Sequence, residues 1–167
     1  MSRGDTTIKY IAYGLALVAV TVLNYTLFTS LPLPVPLLLP MLAVAAGTLE
    51  GPGFGAGMGL AAGLLLDTVG HAGLWTIPLL ALAGWGAGVL AQQVLRRDLI
   101  GHLVCAGGAV LLWELWQVCS RLIRGTAGLR VLLQTAWPEL LWTMILSLPV
   151  YALARFCCIH YGRIYHE

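Results

Sequence analysis

Hydrophobic positions fill this chain in long stretches, broken by short polar punctuation. No Asp, Glu, Lys or Arg occurs from Tyr10 to Leu49, nor again from Thr68 to Leu95. Uncharged apolar runs of about 18 residues or more mark membrane-spanning helices. Proline and glycine show where they stop. Leu31-Pro32-Leu33-Pro34-Val35-Pro36 cannot be continuous helix and reads as an extended connector. Glu50-Gly51-Pro52-Gly53 makes a tight turn, and Gly70-His71-Ala72-Gly73 makes another. Arg96-Arg97-Asp98 closes one span, and a polar stretch from Arg124 to Arg130 follows a later one. These breaks predict an all-α integral membrane protein, a six-transmembrane-helix bundle with spans at about 9–30, 37–49, 53–69, 74–95, 99–123 and 139–158. The whole chain, 1–167, forms one transmembrane domain in this reading.

Two segments need separate treatment. Leu129, Leu132, Leu133 and Ala136 share one face at helical spacing, so 126–137 reads as an amphipathic helix lying at the interface. Pro138 then suits the start of a new helix, with Glu139 in its favourable first turn. The second span holds 13 residues (37–49), or about 20 Å of helix against a hydrocarbon core of roughly 30 Å. It either crosses with the third span or forms a re-entrant hairpin with it, and both return the chain to the same side.

Composition supports lipid as the solvent. Apolar residues make up 59% of the chain and charged residues 10%, against roughly a quarter charged in a soluble domain. The first apolar run is too long for a signal-peptide core and is read as a retained helix. With the N-terminus inside, Arg3, Lys9, Arg96, Arg97, Arg155 and Arg163 face the cytoplasm, and Arg121, Arg124 and Arg130 face outward. That asymmetry predicts two cytoplasmic termini. Tyr10 and Tyr13 at one level, with Trp75, Trp137 and Trp142 at the other, suit interfacial aromatic belts. The net charge of +2 without a basic cluster excludes a nucleic-acid partner. Cys105, Cys119, Cys157 and Cys158 lack metal or redox spacing and read as small buried hydrophobes. His71, His102, His160 and His166 read as satisfied histidines near span ends. No catalytic constellation is legible, so neither an enzyme nor a cofactor or metal site is expected.

Glycines recur every four residues. Gly55, Gly59 and Gly63 in the third span, with Gly84 and Gly88 in the fourth, form smooth strips where another backbone can approach. The run GFGAGMG is not a phosphate loop, because no strand precedes it and no lysine follows. Two acids stand out. Asp67 lies about 20 Å along the third span and Glu114 about 22 Å along the fifth, at similar depth near the outer side. Arg121 falls two turns beyond Glu114 on the same face. Intramembrane acids face a bundle interior and mark paired or functional sites. Asp67, Glu114, Arg121 and Arg124 are therefore expected to form a polar cluster, serving either helix assembly or a solute or partner site.

The string from Pro36 to Gly88 resembles the MreD family, the bacterial rod shape-determining membrane proteins. The likeness rests on the proline-rich connector, the glycine-patterned third span ending Gly63-Leu64-Leu65-Leu66-Asp67, and a fourth span rich in small residues after a short glycine turn. Thr135-Ala136-Trp137-Pro138-Glu139-Leu140-Leu141, leading into the last span, is similar to that family too. The resemblance implies a non-enzymatic scaffold subunit of the cell-elongation, peptidoglycan-synthesising machinery in the bacterial plasma membrane. Its implied partners are an MreC-like bitopic protein and, through it, MreB filaments, the polymerase RodA and its partner transpeptidase. The family also looks similar in fold to the S-components of energy-coupling-factor transporters. That likeness supplies an alternative, a substrate-binding subunit of a vitamin transporter. Ala12 and Ala16 resemble the small-residue step by which such components dock.

Overall fold

A computed structural model describes residues 3–26, 37–70, 75–93, 98–123, 125 and 129–161. Six helices follow one another: α1 (Arg3–Thr26), α2 (Leu38–Glu50), α3 (Pro52–Gly70), α4 (Thr76–Gln93), α5 (Leu99–Ile123) and α6 (Leu129–Tyr161). No strand occurs among the described residues. Four helical segments are long and apolar enough to cross a membrane: Ile8–Thr26, Pro52–Val69, Leu99–Ile123 and Ala136–Ile159. The proline connector and residues 27–30 of the expected first span lie outside the described residues, as do 94–95 of the fourth.

The short helix α2 is the axis of the molecule. All eleven residues from Leu38 to Thr48 are buried, and α2 packs against each of the other five helices. Its sequence, LLPMLAVAAGTLE, is apolar on every side, the pattern of a helix buried all round. Its free N-terminal end is satisfied from outside. The Leu37 amide donates to Thr143 Oγ1 of α6 at 3.2 Å, and that hydroxyl donates in turn to the Glu139 carbonyl at 2.7 Å. One residue, Gly51, joins α2 to α3. Its φ of 112° lies where only glycine sits without strain. Pro52 then opens α3, where a missing amide proton costs nothing.

The helices alternate in direction. The end of α2 meets the beginning of α1 through Glu50 and Lys9, and Gly88 near the end of α4 meets Pro52 at the beginning of α3. Antiparallel neighbours are what short connections produce.

The last helix departs from the expected layout. α6 runs unbroken through Pro138 and Pro149, so there is no separate interfacial helix at 126–137; 126–128 lie outside the described residues. The change at Ala136 is one of composition within a single helix, since the apolar part begins there. Proline is tolerated inside membrane helices because neighbouring groups satisfy the backbone it leaves open. Glu139 consequently stands ten residues inside α6, and the favourable helix start expected for it does not exist.

Candidate functional site

Three features bring chemistry or close contact together: a glycine seam, a polar tie at one end of the bundle and a charged group nearer the other.

The seam joins α2, α3 and α4. A methyl group placed on Gly63 would stand 2.7 Å from the Ile77 Cα, and one on Gly88 would stand 2.5 Å from the Pro52 Cα. One on Gly59 would strike the Leu80 carbonyl, and those on Gly55 and Gly84 would strike each other's backbone. Gly47 of α2 also lies against the Gly84 carbonyl, so three helices meet backbone to backbone at Gly84. The spacing of four in the sequence identifies the α3 and α4 strips and runs back through Gly51 to Gly47, but the turn at Gly51 places Gly47 on a different helix.

The polar tie was not legible in the sequence. Lys9 of α1 forms an ion pair with Glu50 at the end of α2, and the two side chains are only 14% and 6% exposed. The Tyr13 hydroxyl lies 3.4 Å from Glu50 Oε1 and 3.3 Å from the Ala154 carbonyl of α6, so its one proton is shared between two acceptors. Lys9 Nζ also sits over the Phe54 ring, 5.0 Å from its centre, and the Tyr13 and Phe54 rings meet edge to face at 4.8 Å. Tyr13 is therefore buried and is not part of an interfacial belt, whereas Tyr10, Trp75, Trp137 and Trp142 face outward. Sequence spacing misses this group because 41 residues separate Lys9 from Glu50.

The charged group lies farther along α5 and α6. Arg121 lies within electrostatic range of both Glu114 and Glu139, and Glu139 within range of Glu114. Two of the four residues expected to cluster, Glu114 and Arg121, are thus brought together, and Glu139 joins them. Asp67 is half-buried on α3, which packs on α4 and α2; α3 and α5 are not among the substantial helix contacts. Arg124 lies outside the described residues.

The remaining candidates divide. Cys105, Cys157 and Cys158 are buried, but Cys119 faces outward. His102 does not sit at an interface: it is fully buried and stacks on Tyr151, ring centres 4.6 Å apart. His71 and His166 lie outside the described residues, and the side chain of His160 is not described. Ala16 belongs to the buried core, leaving Ala12 the more exposed of the pair. No group of three or more potential metal ligands occurs among the described residues. No family model matches the chain, no curated protein matches it, and no solved structure matches it.

Proposed function

We propose that the chain is a non-enzymatic scaffold subunit of the bacterial cell-elongation machinery, embedded in the plasma membrane with both termini in the cytoplasm. It binds an MreC-like bitopic partner and, through it, the peptidoglycan-synthesising enzymes and MreB filaments. In this reading α2 and α4 cross with the four longer helices, giving six crossings. The observation that carries it, beside the resemblance of the Pro36–Gly88 string to the MreD family, is the filled interior. Solute sites in helix bundles need room between the helices, and the axis of this bundle is occupied by eleven consecutive buried residues of α2. A solid core suits a subunit that presents rigid outer faces. Affinity purification of the tagged protein from its native membranes tests this. Enrichment of an MreC-like protein is expected, and its absence from a preparation that retains the folded bundle would overturn the reading.

One observation favours the alternative of a vitamin-binding subunit similar to the S-components of energy-coupling-factor transporters. Glu114, Glu139 and Arg121 place ionisable groups within membrane-crossing helices, where such groups are expensive and most often functional. On that reading a vitamin accompanies the purified protein, and Glu114→Leu abolishes its binding while the fold survives.

A further inference from the structure

α3 has two glycine-bearing faces, and they behave oppositely. Gly55, Gly59 and Gly63 are pressed against backbone of α4. Gly53 and Gly57 have nothing within 4 Å of where a side chain would begin, and neither does Gly14 on α1. These three line an open groove of about 480 Å³ between α1 and α3, together with Tyr10, Phe54 and Met58. Glycine here deepens a cleft instead of closing a contact. Both helices are apolar enough to cross a membrane, so the groove opens sideways toward lipid. One end is polar: the Tyr10 and Phe54 rings, 5.6 Å apart, close it beneath Lys9.

We propose that this groove holds one acyl chain of an anionic glycerophospholipid, with the phosphate group at Lys9. The size fits an acyl chain. The groove measures about 480 Å³, and small apolar ligands sit in clefts of about 300–1,000 Å³. The charge fits as well. Lys9 has three ammonium protons; Glu50 accepts from one, and the ammonium also rests on the Phe54 ring. A phosphate can therefore share the cation without displacing Glu50. Basic positions between membrane helices attract anionic headgroups in this way.

The test uses the full-length protein in detergent, titrated with dioleoyl phosphatidylglycerol or dioleoyl phosphatidylcholine and read by native mass spectrometry and thermal unfolding. Retained phosphatidylglycerol adducts and a raised melting temperature are expected, with a weaker response to phosphatidylcholine. Gly14→Leu and Gly57→Leu fill open space, so each keeps the lipid-free melting temperature and loses the adduct. The double variant Lys9→Gln/Glu50→Gln keeps neutral hydrogen-bonding side chains at the tie and loses the preference between headgroups. Adducts that survive Gly57→Leu unchanged would overturn the proposal, as would equal binding of the two lipids by the unaltered protein. A disulfide between two copies of Gly57→Cys in membranes would also overturn it, because the groove would then be an interface between copies of this chain.

Discussion

At the scale of single residues, Lys9 and Glu50 bear the greatest electrostatic stake. Removing one partner of a buried ion pair costs about 3–5 kcal/mol, because the other charge stays behind uncompensated. Lys9→Met should therefore lower the melting temperature sharply, while Lys9→Met/Glu50→Gln recovers most of the loss. Thermal unfolding of the purified variants decides this, and equal destabilisation by single and double variants would refute the pairing. Tyr13→Phe should cost less, about 1 kcal/mol, since only a shared hydroxyl proton is lost. None of this was legible from the residues alone. Lys9 reads as a positive-inside charge, Glu50 as part of a turn and Tyr13 as an interfacial aromatic, because their meeting depends on how three helices pack.

Among the helices, the glycine seam and the continuity of α6 give the clearest contrasts. Gly84→Ala places a methyl group against the Gly55 carbonyl and should cost about 1–3 kcal/mol by overpacking. Gly86→Ala, one step round the same helix with open space before it, should leave stability unchanged. The comparison is read from two melting curves, and matching behaviour would show that Gly84 does not sit at a junction. For α6, spin labels at Gln134 and Phe156 should stand about 33 Å apart, the rise of 22 residues in one unbroken helix. A much shorter distance would restore a break at Pro138. The α3 and α4 strips were legible because a period of four is a property of the helix itself. The continuity of α6 was not, because proline is an equally good helix start in water and a tolerated interior residue among packed membrane helices. Glu139 was misplaced for the same reason: its role followed from the assumed helix start.

Taken whole, the molecule is a ring of longer helices around a short one, open between α1 and α3. The apolar runs and their breaks predicted the six helices, although the last begins ten residues before its expected span; they did not predict that the second would lie at the centre, since burial on every side and exposure to lipid demand the same residues. Topology is checked by reporter fusions: a cytoplasmic signal is expected both after Arg97 and after Glu167, and a periplasmic signal at either position would invert the arrangement. The single-residue link at Gly51 bears on how the chain is made. α2 leaves the ribosome before α4, α5 and α6, so the core of the protein enters the bilayer ahead of most of its walls. A water-soluble core helix in that position would aggregate. Lipid tails are as apolar as leucine, so the bilayer itself can shelter α2 until those walls arrive. About 20 Å of helix nevertheless matches a hydrocarbon layer of roughly 30 Å poorly, a mismatch that a protein surround does not impose. Maturation is thus the replacement of a lipid coat by a protein one.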